Sequence, residues 1–227
     1  MAWAEWIRTV EVEPSLYAAD FSRLGEQIDQ LLEAGSRVFH YDVGDGHFVE
    51  PIIIGPIVLQ SIGDLIHAGG GHVDVHLMIE TPERHFPAFR EAGADSVTFH
   101  YEAVDDVAAI TTGAREHGLG VGVALKPQTR VEEVAEAAID ADVDLVLCMS
   151  IEPGYSGQEF MPEAIDRIRT LRSVLPREVH VQVDGGIGPD NIKAVRDAGA
   201  TLFVAGTSIF AREDLPRAYR RLLQELA

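Results

Sequence analysis

Cysteine is nearly absent from this chain. Cys148 stands alone, which excludes an intrachain disulfide and a cysteine-based zinc site and fits a reducing cytoplasm. No apolar run approaches the length needed to span a bilayer. The opening segment, Met1 to Thr9, includes Glu5 and forms no apolar h-region, which argues against a secretory signal. Positive charge is scarce as well. Lysine and arginine number 18 against 37 acidic residues, giving a net charge of −19. Such a surface repels nucleic acid and anionic membranes, so neither is expected as a partner. It repels any anionic ligand too, so a site for one must make its own local positive potential from backbone N–H groups or a bound cation. No linker, low-complexity tract or acidic tail interrupts the chain. The 227 residues read as one domain, with residues 1–9 as a short extension whose Trp3 and Trp6 are expected to pack beneath it.

What is present is a regular alternation. Short β-branched runs at Val10–Leu16, Val38–Val43, Val73–Met78, Ser96–Tyr101, Gly120–Leu125, Leu145–Met149, Val179–Asp184 and Thr201–Ala205 predict eight strands. Helical patterns lie between them, among others at Phe21–Ala34, Glu83–Ala92, Val131–Ala141, Pro162–Leu175 and Pro189–Ala198. Asp20, Thr81-Pro82 and Gly188-Pro189 supply capping or first-turn proline signals, and Gly35, Gly93 and Gly199 follow helix ends. Strands separated by helices, without hairpin signals, argue for a parallel sheet. Eight such units in this length, with no G-x-G-x-x-G after the first strand, favour closure into a single (β/α)8 TIM barrel over an open doubly wound sheet.

In such a barrel the working residues sit at the C-terminal strand ends. The second strand ends in His40 and Asp42, which share a face; the third carries His72, Asp74 and His76 in the same alternation; the seventh ends at Asp184. One strand-end histidine is ordinarily a hydrogen-bonded core residue. Candidate ligands converging from three strands point instead to a metal centre. His40, Asp42, His76 and Asp184 offer two imidazoles and two carboxylates, a set that suits one divalent ion (zinc, iron, manganese or cobalt) with positions open for substrate. Asp42 and Asp184 can then act as the acid and base that move a proton across a carbon beside a carbonyl. His100 is a candidate for the mouth, while His47, His67, His72, His85, His117 and His180 read as structural. Glycine-bearing turns follow the last three strands at Gly154–Gly157, Asp184–Gly188 and Gly206–Ser208, where backbone N–H groups can wrap an anion. Met78 and Met149 are expected as pocket walls and Cys148 as an inert core thiol.

These residues resemble the ribulose-phosphate 3-epimerase family from about Pro14 to Arg212. His40-Tyr41-Asp42-Val43-Gly44-Asp45-Gly46-His47-Phe48-Val49 is similar to its strand-2 signature, Asp74-Val75-His76-Leu77-Met78 to its strand-3 motif and Val183-Asp184-Gly185-Gly186-Ile187 to its strand-7 motif. The resemblance implies that His40, Asp42, His76 and Asp184 bind the metal and that Asp42 and Asp184 are catalytic, acting through a metal-stabilised enediolate. It implies substrate contacts at Ser15, His76 and Asp184, and phosphate contacts at Gly154, Tyr155, Ser156, Gly157, Gly185, Gly186, Gly206 and Thr207. The expected partner is a small sugar phosphate, most simply D-ribulose 5-phosphate, and a homo-oligomer is expected.

The departures lie around this set. Gly44 stands where the family usually has methionine, so a larger or looser pocket floor is expected. Glu50-Pro51-Ile52-Ile53 replaces a more polar segment, Ala18 a common serine, and Tyr155-Ser156 the usual Phe-Gly. A tetrulose or hexulose phosphate therefore remains an alternative substrate, and a phosphate-binding barrel without catalysis an alternative function. Lys126 admits a Schiff-base aldolase, although its place before Pro127 in a loop favours a solvent- or phosphate-facing side chain. A decarboxylase on the same scaffold would want a lysine among the acids, and strands 2 and 3 have none.

Overall fold

Alternating β-branched side chains and intervening amphipathic segments build a barrel. The computed structural model describes Trp3, Trp6 and residues 10–227. Its strands are β1 (Glu11–Pro14), β2 (Val38–Gly44), β3 (His72–Met78), β4 (Ser96–His100), β5 (Gly120–Leu125), β6 (Leu145–Met149), β7 (His180–Asp184) and β8 (Leu202–Ala205). The helices are α1 (Leu24–Ala34), α2 (Pro56–Ala68), α3 (Phe86–Ala92), α4 (Val107–Glu116), α5 (Val131–Asp140), α6 (Ala164–Val174), α7 (Ile192–Asp197), α8 (Thr207–Phe210) and α9 (Leu215–Glu225). Neighbouring strands pair in parallel in the order β1-β8-β7-β6-β5-β4-β3-β2, and the seam between β1 and β2 is joined by an isolated parallel bridge, Ser15 to His40. The fold is a single-sheet (β/α)8 barrel, as the alternation predicts.

Element ends differ from the sequence reading by a few residues. The run at Val10–Leu16 leaves the sheet at Pro14 and turns through a 3-10 segment at Leu16–Ala18. The pattern beginning at Pro189 becomes a turn first, with α7 starting only at Ile192. Proline and glycine mark the place where the chain turns, not the first full helical hydrogen bond. Gly35 and Gly93 do end α1 and α3 in the left-handed region, at φ 101° and 106°, as helix-terminating glycines should.

Strand alternation separates two environments. Outward residues such as Val12, Phe39, Tyr41, Val75, Phe99, Val146, Val183 and Phe203 join Ile28, Leu31, Leu59, Phe89, Tyr219 and Leu222 of the helices in one buried layer. Each fully buried aliphatic or aromatic side chain there contributes about 1.5–3 kcal/mol relative to exposure. Inward residues fill the barrel. At its N-terminal end Trp3 and Trp6 pack with Val38, Leu145, Leu147 and Leu202, and Trp6 stacks on His72 at 4.7 Å. The tryptophans thus plug the bottom. No helix among the described residues is long and apolar enough to cross a membrane.

Candidate active site

The register of two strands assembles half of the site. β2 and β3 pair with His40 opposite Asp74 and Asp42 opposite His76, all four inward and buried. β7 contributes Gln182 at the level of Asp74 and Asp184 one layer higher, because Val181 and Val183 point into the outer core. One ligand atom each from His40, Asp42, His76 and Asp184 lies within 4.8 Å of the others. His76 Nδ1 is 3.1 Å from Asp42 Oδ1 and 3.9 Å from Asp184 Oδ2. His40 Nε2 is 3.3 Å from Asp42 Oδ1. Ser15 Oγ donates to Asp42 Oδ2 at 2.7 Å.

The two carboxylates experience different surroundings. Burial alone would raise Asp42, but the His40 charge and the close approach of His40 and His76 outweigh it and hold its carboxyl well below the usual range. Burial, and then the Asp42 charge beside it, push Asp184 up to about 6. For His40, burial opposes protonation, yet the Asp42 charge and contacts with Asp42, Asp74 and Glu13 outweigh it and raise the imidazole well above its ordinary value. The cluster draws in positive charge.

That demand is one reason a cation fits. The other is that neither ring nitrogen of buried His40 has a hydrogen-bond partner of adequate geometry, a costly state for an imidazole unless a ligand completes it. Two nitrogens and two oxygens at these separations match a divalent transition ion. The residues could hold a metal, and nothing in the donor set singles out which.

Beneath this layer lies a buried polar layer that sequence reading missed apart from Asp74. Gln182 Nε2 donates to Glu13 Oε2 at 2.6 Å and to Asp74 Oδ2 at 3.0 Å, and Ser96 Oγ donates to Asp74 Oδ1 at 2.7 Å. His40 Nδ1 stands 3.3 Å from Asp74 Oδ2. Burial pushes the Glu13 carboxyl up to about 7. The signal was in the sequence: Glu11 and Glu13 of β1, with Ser15 just after it, alternate as Gln182 and Asp184 do along β7, and alternating polar residues within an otherwise apolar strand face a common interior.

Above the carboxylates a cleft opens toward solvent. Ser15, Asp42, Gly154, Tyr155, Ser156, Gly157, Asp184, Gly185, Gly186, Gly206 and Thr207 all line it, and Met78 and Met149 form walls. Ile187 of the strand-7 motif lines it as well, and so do Tyr17, Ile151 and Val204, which were not singled out in sequence. His40 and His76 have no exposed surface and stand behind the aspartates. His100 does not line the mouth: it is buried, with the Phe48 ring 4.8 Å away. Lys126 also stays outside the cleft, its Nζ 3.8 Å over the Phe48 ring. The expected loosening at Gly44 is absent. A Cβ there would lie 2.8 Å from Pro51 O and 2.9 Å from Ile53 and Val49, so the loop after β2 has closed onto the glycine.

The family model and the curated relatives agree on one family. A family model described as the ribulose-phosphate 3 epimerase family matches residues 11–210. The chain is 36% identical over 219 residues to the ribulose-phosphate 3-epimerase of Escherichia coli K12, covering 95% of this chain and 96% of that protein. It is 40% identical over 200 residues to the Schizosaccharomyces pombe ribulose-phosphate 3-epimerase, covering 88% of this chain and 86% of the other. Among solved structures, 3-hexulose-6-phosphate synthase from Salmonella typhimurium superposes with a TM-score of 0.73 at 18% identity, over 95% of this chain and 98% of that one. At that identity the likeness is one of fold.

Proposed function

The chain belongs to the ribulose-phosphate 3-epimerase family, and on that premise we propose that it inverts C3 of D-ribulose 5-phosphate to give D-xylulose 5-phosphate. The observation that carries this reading is the pairing of Asp42 and Asp184 at the floor of a cleft rimmed by glycine turns. Epimerisation beside a carbonyl needs a base on one face of the carbon and an acid on the other. Asp42 comes from β2 and Asp184 from β7, so the two carboxyls approach a ligand from different sides of the barrel. Their unequal surroundings, one carboxyl depressed and one raised, are what an acid–base pair requires. One carboxylate takes the C3 proton while the other, as the acid, returns a proton to the opposite face; the reverse reaction exchanges the roles. Ser15, just beyond the end of β1, holds the Asp42 carboxylate in place. A divalent cation held by His40, Asp42, His76 and Asp184 would supply the positive charge that favours the enediolate.

The phosphate end meets backbone. Among the described residues no lysine or arginine lines the cleft, so Gly154–Gly157, Gly185, Gly186, Gly206 and Thr207 are the groups available there to receive an anion on this acidic protein. Gly186 has φ 63°, and a Cβ on it would sit 2.5 Å from Phe160 N. Gly186→Ala is expected to cost about 1–3 kcal/mol of stability. It should also raise KM for the sugar phosphate more than it lowers kcat, which thermal melts and steady-state kinetics together would show.

The direct test follows C3 of D-ribulose 5-phosphate in D2O, with metal-replete and chelated protein. Deuterium incorporation with formation of xylulose 5-phosphate, abolished by chelation and restored by a divalent ion, is the expected result. Metal bound without exchange would refute this substrate assignment; exchange unaffected by complete metal removal would refute the cation's part in it.

A further inference from the structure

We infer that Glu102 and His100 are positioning residues that set the tautomer of His76, so that its Nδ1 is the nitrogen offered to the metal. The inference rests on the proposed ligand set for the identity of the group His76 serves. His76 Nδ1 faces Asp42 and Asp184, while its Nε2 lies 2.9 Å from His100 Nε2. The other nitrogen of His100, Nδ1, lies 3.1 Å from Glu102 Oε2. Both imidazoles are fully buried, so no water competes for these nitrogens.

Proton accounting along this chain has a definite direction. Two facing imidazole nitrogens form a hydrogen bond only when one carries the proton and the other does not. Glu102 Oε1 accepts from the backbone N–H of Lys126 at 2.8 Å and from Thr129 Oγ1, so this carboxylate is already committed as an acceptor. Its Oε2 therefore receives the proton of His100 Nδ1. A neutral His100 then has a bare Nε2, which must accept from His76 Nε2–H. His76 is left with a lone pair on Nδ1, facing the two aspartates. A hydrogen-bonded second nitrogen is the usual means by which a protein fixes a ligating histidine, and here the control passes through a second imidazole to a carboxylate on the rim. Phe48 closes one side of the relay, its ring 4.8 Å from His100.

Glu102→Gln tests this with almost no change of shape. The two donors at Lys126 and Thr129 would hold the glutamine's oxygen, turning its NH2 toward His100 Nδ1. His100 must then carry its proton on Nε2, His76 must accept it there, and the His76 proton moves to Nδ1, among the ligands. The Co2+ dissociation constant, measured by chelator competition, is expected to rise about 10–100-fold in Glu102→Gln with the far-UV spectrum unchanged. Nitrogen-15 NMR of the metal-free proteins should report His100 protonated on Nδ1 in wild type and on Nε2 alone in the variant. His100→Gln, whose amide oxygen can still accept from His76 Nε2–H, should keep Co2+ binding closer to wild type than His100→Leu does. Unchanged affinity and tautomer in Glu102→Gln would overturn the inference. If wild type binds no Co2+, the ligand-set reading fails instead, and the tautomer measurement still decides whether Glu102 sets the His100 proton that faces His76.

Discussion

Asp42→Asn and Asp184→Asn are each expected to lower epimerase turnover by at least about 10³-fold while leaving the barrel folded. Each substitution keeps the side chain's size but removes the group that takes or gives a proton, and neither neighbour offers a substitute base on the same side of the cleft. Stability should divide the pair. Asp184 has a folded value of about 6, raised above the ordinary 3.8, so its ionisation opposes folding and stability falls as pH rises through that interval. Removing it should leave the melting temperature of the metal-free protein at pH 8 equal to or above that of wild type. Asp42 is the reverse: its carboxyl is depressed by His40 and His76, so it stabilises the fold above the ordinary carboxylate range and that contribution is lost in acid. Asp42→Asn should therefore melt lower at neutral pH, with Ser15 also losing its charged acceptor. C3 exchange and thermal melts on both variants check these outcomes together. Near-normal turnover in either one would sink the two-carboxylate mechanism.

Gly44→Met should destabilise the protein by about 1–3 kcal/mol or more instead of filling a vacant pocket floor. The Cβ itself is the difficulty, since it would stand 2.8 Å from the backbone oxygen of Pro51 before the rest of the side chain is placed. The loop cannot retreat freely. Ile53 N donates to Gly44 O at 2.9 Å, Asp45 bridges Ile52, and the Asp45 carboxylate accepts from the backbone N–H groups of His47, Phe48 and Glu80. Urea denaturation measures the cost. A variant as stable as wild type would show that the Val49–Ile53 loop has slack, and substrate selectivity would then be open to change at this position.

Much of the architecture was readable without coordinates. Eight β-branched runs separated by capped helical patterns dictate parallel pairing, because a helix between strands allows no hairpin. The inward side of each strand follows from a period of two, so His40 with Asp42, Asp74 with His76, and Gln182 with Asp184 share faces whatever the register. Element ends were less legible at Pro14 and Pro189, where a proline signals a turn without saying how long it runs before the next regular element.

What composition and pattern alone decided is the barrel, its acidic and disulfide-free character, and which side chains face its interior. Tertiary structure decided how those side chains meet. The register of β2 against β3 sets Asp42 opposite His76, and the closing of the ring brings Asp184 of β7 to the same pair. The layer of Glu13, Asp74 and Gln182, the relay from Glu102 through His100, and the collapse of Val49, Pro51 and Ile53 onto Gly44 all join residues far apart in the chain. Local pattern reports which face a side chain occupies. Only packing, which depends on distances between separate strands and loops, determines its partner, and a substitution that looks like lost volume in the sequence can be volume already taken by a neighbouring loop.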